Sequence, residues 1–151
     1  TKILEDHTQR LTKMQSSINR LQDQVGTYTL RSGHRVERTI MELYKEALKL
    51  HGVDPDKVKH GYIVDEKGVI DQQGDKYEVD FYEVTDGEVY IFEVKTNGDR
   101  GAIEQLVIRK KIFESLGKKV TKMFLVCHVI SRKAKKLAER KGITVIAGSV
   151  V

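Results

Sequence analysis

Apolar side chains recur every seven residues along the first 28 residues of the chain. This spacing, with a second apolar position three residues later, is typical of a coiled coil. The two positions hold Leu4, Leu11, Ile18 and Val25, and then His7, Met14, Leu21 and Tyr28. A helix of about 25 residues is roughly 37 Å long, which is too long to be covered by a small domain. The pattern predicts a coiled-coil helix over residues 1–28 that joins two chains into a homodimer; a helix folded back on its own domain is the alternative.

A second helical pattern runs through RVERTIMELYKEALKLHG and stops at Gly52. Glu37 lies in line with Met41, Tyr44 and Leu48, on the flank of the apolar side, so its carboxylate is expected to point toward the domain. Glu42 falls on the polar side of the same helix. The predicted apolar stripe consists of Val36, Ile40, Leu43, Ala47 and Leu50.

The remaining pattern predicts strands alternating with helices. YIVDEKGVID is expected to form a hairpin around DEKG, and YEVDFYEVTDGEVYIFEVKT a second one around Asp86-Gly87. A helix over about 101–116, the apolar strand MFLVCHV, a helix capped by Ser131 and a last strand ITVI follow. The order predicts an α/β domain over 33–151, with one mixed sheet and helices on both faces.

The second hairpin brings two carboxylates together in its predicted register. If Asp86-Gly87 is a two-residue turn, Asp80 lies opposite Glu93, Glu78 lies opposite Lys95, and Phe81 and Phe92 share the other face. Opposed carboxylates share either a proton or a cation. A divalent ion such as Mg²⁺ or Mn²⁺ would take oxygen ligands from Asp80, Glu93 and the Val94 carbonyl, and would acidify a water that Lys95 orients. This arrangement fits phosphodiester hydrolysis; a solvated strand face is the alternative.

Charge is distributed unevenly along the chain, whose net charge is +5. Residues 100–141 hold thirteen Lys and Arg against three Glu, so this segment is net +10 and the remainder net −5. A basic block of this size is typical of a polyanion-binding surface. A solvated lysine-rich helix face is the alternative.

Composition and length exclude several other classes of protein. The 151 residues are enough for one core, and no apolar run approaches the roughly 18 residues that a membrane span needs. Cys127 is the single cysteine, so no intrachain disulfide forms, and no Cys/His cluster has zinc spacing. A cytoplasmic, reducing location without membrane association is expected.

Asp80, followed by Glu93-Val94-Lys95 at the end of the next strand, resembles the signature of the PD-(D/E)XK nuclease superfamily. This superfamily includes restriction endonucleases, Holliday-junction resolvases and RecB-like exonucleases, and the resemblance covers about residues 33–147. It implies a restriction-endonuclease-like αβββαβ core. It also implies that Asp80 and Glu93 hold Mg²⁺ while Lys95 assists the attacking water.

The resemblance implies two further site residues and shows two departures. Glu37 matches the glutamate that the family often adds from the preceding helix, and Gln105 matches a glutamine of RecB-like members. Arg109 stands where the RecB-like pattern has tyrosine and is expected to hold a phosphate instead. Val79 replaces the proline that many members also lack.

These observations predict a Mg²⁺-dependent deoxyribonuclease whose coiled-coil dimer presents two active sites to DNA. The basic segment is expected to grip the phosphate backbone without reading bases. The first alternative is a non-catalytic nucleic-acid-binding or assembly module on the same sheet, and the second is an RNA-processing nuclease, which the scarcity of exposed aromatic residues disfavours. The predicted DNA-contacting residues are Arg100, Arg109, Lys110, Lys133 and Lys136.

Overall fold

A five-stranded mixed sheet forms the centre of the computed structural model, which describes residues 32–84 and 87–151, with side chains from Val36 onward. The strands lie in the order in which they occur in the chain. The first three are antiparallel, and the third, fourth and fifth are parallel. The strands are β1 (Lys59–Asp65), β2 (Asp75–Glu83), β3 (Glu88–Gly98), β4 (Lys119–Ile130) and β5 (Ile143–Val150). The predicted coiled coil over residues 1–28 lies outside the described residues.

Helices cover both faces of the sheet. The first face packs against α1 (Ser32–Leu43) and α2 (Lys45–Leu50), and the second against α3 (Arg100–Ser115) and α4 (Arg132–Arg140). A single 3₁₀ turn, Pro55–Lys57, links α2 to β1. The prediction of an α/β domain with one mixed sheet and helices on both faces is confirmed. Within the described residues, no helix is both long and apolar enough to span a membrane.

Two buried apolar clusters hold the layers together, one on each face. The α3-side core joins β1–β5 to α3 and α4, and the α1-side core joins β3, β4 and β5 to α1 and α2. Each fully buried Phe, Leu or Ile side chain contributes about 1.5–3 kcal/mol relative to leaving it exposed. Fully buried members are Phe81, Ile91, Leu106 and Phe113 in the α3-side core, and Ile40, Leu48, Phe92 and Phe124 in the α1-side core.

The N-terminal helices bury a narrower stripe than their sequence predicts. Ile40, in the predicted stripe, and Leu48, on its predicted flank, are fully buried, whereas Val36, Leu43 and Leu50 are exposed, so the prediction is wrong at these three positions. Ile40 of α1 and Leu48 of α2 contact the sheet, and Glu37, three residues before Ile40 on α1, is directed inward with it. The expectation that Glu37 points toward the domain agrees with this packing.

The first hairpin differs from its prediction because a buried carboxylate organises its loop. Asp65 is fully buried and accepts hydrogen bonds from the backbone N–H groups of Val69 (2.9 Å) and Ile70 (3.0 Å). These amides are therefore unavailable to a strand, and the returning strand begins only at Asp75. The predicted tight turn at DEKG with a strand directly after it is wrong.

The second hairpin is shifted by one residue from its predicted register. Asp80 lies opposite Phe92, and Phe81 lies opposite Ile91. The N–H of Val84 donates to the carbonyl of Glu88 at 2.8 Å, so three residues rather than two lie between them, and the last, Gly87, has a φ of 77°. Because β3 is buried on both faces, with Ile91 in the α3-side core and Phe92 in the α1-side core, its apolar pattern does not select one register.

Helix boundaries further along the chain agree with the sequence. The Asp99 side chain accepts from the N–H of Ala102 at the start of α3, and Ser131 accepts from the N–H of Ala134 at the start of α4. Gly117, with a φ of 84°, follows the end of α3. The apolar segment MFLVCHV lies in β4, between two parallel neighbours, as predicted.

Candidate metal centre

The strands β2 and β3 stop pairing at Asp80, and this point is here called the fork. Among the described residues their ladder runs from Glu83 opposite Val89 to Asp80 opposite Phe92, while β3 continues to Gly98. Beyond the fork, the Nε of Arg109 donates a hydrogen bond to the backbone carbonyl of Glu78. A side chain from α3 therefore replaces a strand partner at this carbonyl.

Arg109 is held in the fork by further contacts. Its Nη1 donates to the side-chain oxygen of Gln105 at 2.5 Å and to the Gln105 carbonyl at 3.1 Å. The same nitrogen lies 4.0 Å from a carboxylate oxygen of Glu93, and the Arg109 side chain is only 11% exposed. Gln105 thus positions Arg109, and Arg109 lies against Glu93.

Ionisable side chains line a small cavity of about 50 Å³ at the fork, here called the acidic cavity. They come from α1, β1, β2, β3 and α3, so residues distant in sequence converge on one space. Asp80 and Glu93 share this cavity even though they are not opposed in the ladder, because the strands no longer pair there. The ionisable lining residues are Glu37, His60, Glu78, Asp80, Glu93 and Arg109.

His60 connects two of the carboxylates. Its Cα lies opposite that of Asp80 in the antiparallel β1–β2 pair, which directs both side chains to the same face. The protonated ring donates from Nδ1 to Asp80 and from Nε2 to Glu78, the latter at 2.6 Å. Burial lowers the pKa of His60, but these two hydrogen bonds outweigh it and raise the pKa to about 10. The imidazole is therefore cationic at neutral pH when no metal is bound.

The carboxyl groups of Glu37 and Glu93 are harder to ionise than ordinary glutamates. Burial and the nearby charge of Asp80 raise the pKa of Glu37 to about 7. Burial also raises the pKa of Glu93, against the lowering effect of Arg109 and Lys95. Carboxylates whose ionisation is opposed by burial and by one another are stabilised by an additional cation.

Glu37, His60 and Asp80, here called the donor triad, place one potential ligand atom each within 4.8 Å of one another. Carboxylate oxygen and imidazole nitrogen are ordinary ligands of divalent ions. The chemistry of this donor set therefore fits a divalent metal. Glu93 lies outside the triad and beside Arg109.

A wider cleft of about 390 Å³ adjoins the acidic cavity and shares the donor triad with it. Its other walls come from α1 and from the segment around the 3₁₀ turn, including Arg38, Met41 and Asp56. The donor triad therefore lies where the small acidic cavity meets a space large enough for part of a substrate.

The predicted site residues on β3 lie in different environments. Glu93 and Lys95 alternate along β3 with Phe92 and Val94, which belong to the α1-side core. Because the register differs, the prediction that Asp80, Glu93 and Lys95 leave one face of a continuous β2–β3 ribbon is wrong. Lys95 is exposed, and its charge lowers the pKa of Glu93. Val94 is buried and lines the acidic cavity.

The predicted DNA-contacting residues separate into two groups. Arg109 lies inside the fork, whereas Arg100, Lys110, Lys133 and Lys136 lie on α3 and α4, on the other side of the sheet from α1. Arg100 and Lys133 line a cavity of about 480 Å³ at the ends of β3 and β4, whose described lining residues all differ from those of the acidic cavity.

Two site residues were missed by sequence reasoning, His60 and Glu78. Alternation along β2 already puts Glu78 on the face of Asp80, and this signal was available. The position of His60 depends on the β1–β2 register, which the loop around Asp65 determines. The presence of His60 in the site could therefore not be predicted from the hairpin pattern.

Comparison with known proteins does not assign this chain to a family. A scan against protein-family models, a search of curated proteins and a search of solved structures each gave no match to this chain.

Proposed function

We propose that this protein is a divalent-metal-dependent deoxyribonuclease with a site of the PD-(D/E)XK type. One observation carries the proposal: Glu37, Asp80 and Glu93, three carboxylates selected on the sequence resemblance, line one cavity. The order of helix, three antiparallel strands, helix and parallel strand supports the same restriction-endonuclease-like core.

The carboxylates and the ion have complementary roles in this proposal. Glu37 and Asp80 hold the ion, and the carboxylate of Glu93 on β3 adds a further negative charge to the acidic cavity. A bound divalent ion would neutralise charge on a phosphate oxygen and lower the pKa of a water. Burial of Glu37 and Glu93 strengthens their interaction with any cation that enters.

The remaining side chains orient the reacting groups. In this proposal Lys95, which is exposed on β3 and close enough to lower the pKa of Glu93 but is not among the residues that line the acidic cavity, reaches toward it to hold the attacking water or a phosphate oxygen. Arg109, fixed by Gln105 and the Glu78 carbonyl, keeps Glu93 in place. In this role Arg109 is a positioning residue rather than a surface contact for DNA.

Substrate binding in this proposal uses the basic residues outside the cavity. Arg100, Lys110, Lys133 and Lys136, on the face of the sheet opposite the α1-side cleft, provide sequence-independent contacts to phosphates of a DNA that passes around the domain, which makes binding strongly salt-dependent. The heptad pattern of residues 1–28 supports a homodimer that presents two such sites.

Cleavage of supercoiled, linear, nicked and branched DNA, each with Mg²⁺, Mn²⁺ or EDTA, tests the proposal. Asp80→Asn and Lys95→Ala are each expected to reduce the rate by at least about a hundredfold while leaving DNA affinity within a few fold. Glu37→Gln is expected to reduce it as well. Glu42→Gln is the matched control, because Glu42 lies on the same helix and in the same cleft but is exposed and paired with Lys45.

Cleavage that survives Asp80→Asn or Lys95→Ala, or that persists in EDTA, would contradict the proposal. Equal losses in Glu37→Gln and Glu42→Gln would point to a general effect of charge in the cleft instead of a specific role for Glu37.

A second candidate is a non-catalytic nucleic-acid-binding or assembly module. It is favoured by the cations that already accompany the carboxylates, since His60 pairs with Asp80 and Glu78 while Arg109 lies beside Glu93. Calorimetry separates the two functions. Binding of Mg²⁺ or Mn²⁺ that Asp80→Asn removes supports the enzyme, whereas its absence supports the module.

A further inference from the structure

The donor triad differs in composition from the all-oxygen pair predicted on the hairpin. Glu37, His60 and Asp80 come from α1, β1 and β2, and their ligand atoms lie within 4.8 Å of one another. Glu93, the expected partner of Asp80, is instead next to the guanidinium of Arg109. The ion position that these side chains favour is therefore displaced from β3 toward α1 and β1.

The two ring nitrogens of His60 have different neighbours. Nδ1 faces Asp80, a member of the triad, whereas Nε2 lies 2.6 Å from a carboxylate oxygen of Glu78, which is not a member. Metal-binding histidines commonly coordinate through one nitrogen while the other N–H donates to a carboxylate, which fixes the ring and makes the coordinating nitrogen more basic. Glu78 is placed to receive that second hydrogen bond.

We infer that His60 coordinates the divalent ion directly through Nδ1, with Glu78 orienting the ring, and that the site therefore binds transition-metal ions such as Mn²⁺ in preference to Mg²⁺. This inference deepens the proposed function and rests on the same metal-binding site. Mg²⁺ strongly favours oxygen ligands and retains its waters, whereas first-row transition ions accept imidazole nitrogen readily. The 390 Å³ cleft gives a hydrated ion access to the triad.

Mn²⁺ provides a direct spectroscopic test with the full chain. Pulsed electron paramagnetic resonance of the Mn²⁺-loaded protein is expected to show modulation from a coordinated imidazole ¹⁴N. This signal should disappear in His60→Gln and remain in His51→Gln, a matched change at an exposed histidine outside the donor triad. Circular dichroism of each variant verifies that it is folded, and His60→Asn serves as a second variant if His60→Gln is not.

Calorimetry measures the metal preference independently. Mn²⁺ is expected to bind at least about tenfold more tightly than Mg²⁺, and Glu78→Gln to weaken Mn²⁺ binding by about tenfold, as loss of an orienting partner does elsewhere. His60→Gln should reduce the ratio of the two affinities toward unity. Bound Mn²⁺ without ¹⁴N modulation, an unchanged affinity ratio in the folded His60 variant, or no Mn²⁺ binding at all would each overturn the inference.

The results also separate this inference from the nuclease proposal. Mn²⁺ bound with ¹⁴N modulation in a protein that cleaves no DNA supports the His60 site and contradicts the nuclease. Mn²⁺-dependent cleavage without ¹⁴N modulation contradicts the His60 site alone.

Discussion

Arg109 donates a hydrogen bond from its Nε to the backbone carbonyl of Glu78, at the point where β2 and β3 cease to pair. The contact allows two strands to separate without leaving this carbonyl unsatisfied, because a guanidinium supplies the missing donor. It also places a largely buried positive charge beside Glu93. The geometry of the fork and the charge balance of the site thus depend on one side chain.

Replacement of Arg109 by Ala is expected to lower the free energy of unfolding by about 1–3 kcal/mol, because the carbonyl of Glu78 and the amide oxygen of Gln105 lose their donor. Urea denaturation of the metal-free protein measures the change. Lys110→Ala is the matched control on the same helix; its partly exposed pair with Glu114 predicts a loss below about 1 kcal/mol. Equal losses in the two variants would show that Arg109 does not support the fork.

Replacement of Glu37 by Gln is expected to stabilise the metal-free protein at high pH. The folded-state pKa is raised from 4.5 to about 7, so the contribution of this carboxyl to stability is present below pH 4.5 and is lost as the pH rises through 7. Above pH 7 the free energy of unfolding of the variant should exceed that of the wild type by about 1–2 kcal/mol. This is less than the full pKa shift implies, because the partly exposed carboxyl group is screened by solvent. The gain should vanish near pH 4 and reverse when saturating Mn²⁺ is added.

Urea denaturation at several pH values, with and without EDTA, provides the measurement for Glu37. Glu42→Gln should change stability by less than about 0.5 kcal/mol throughout, as expected of an exposed residue. A Glu37 variant that is less stable than the wild type at pH 8 in EDTA would contradict the expected cost of ionising this carboxyl.

The stability of the metal-free protein should also fall at alkaline pH through His60. The folded-state pKa is raised from 6.5 to about 10, so the stabilising contribution is complete below pH 6.5 and is lost as the pH rises through 10. The charged groups that face the ring are Asp80 and Glu78 from β2 and Glu37 from α1. Because Glu37 titrates in part of this range with the same sign, the comparison is best made in the Glu37→Gln background.

The difference in unfolding free energy between Glu37→Gln and the double variant Glu37→Gln/His60→Gln isolates the His60 contribution. It should decrease steadily between pH 6.5 and pH 10. A difference that does not change with pH would mean that the imidazole is not held in its protonated form by Asp80 and Glu78.

The heptad pattern of residues 1–28 predicts that the protein is a dimer and that this dimer can be disrupted by mutation. Replacement of Leu11 and Ile18 by Lys should convert a dimer into a monomer, because charges at these positions cannot be buried between helices. Sedimentation velocity measures the change in mass. Exchange of Gln9 and Gln15, which lie outside the apolar positions, for Lys is the control and should leave the dimer intact; an unchanged mass in the Leu11/Ile18 variant would mean that the helix packs elsewhere.

Much of the fold was predictable because its signals are local. The Ser131 cap, the glycine after α3 and the uninterrupted apolar run of β4 each determine their element within a few residues. The hairpin registers were not predictable in the same way. An extra loop residue before Glu88 shifts every β2–β3 pair by one position, and β3, which is buried on both faces, tolerates either register.

The candidate site was predictable only where single residues carry the signal. Asp80, Glu93 and Glu37 were selected from sequence and lie together in the acidic cavity. His60 was not, because its position opposite Asp80 depends on a long loop that is hydrogen-bonded to the buried carboxylate of Asp65. Contacts that depend on loop closure bring together residues that are distant in the sequence. They therefore produce no periodic pattern from which they could be predicted.

The three members of the donor triad belong to segments that meet only after the sheet has formed and α1 has docked on it. An unfolded chain offers no comparable chelate, so an ion bound there adds its whole binding free energy to native-state stability. The thermal midpoint should consequently climb with metal concentration, and α1, whose fully buried side chain among those described is Ile40, should gain the most protection from deuterium exchange.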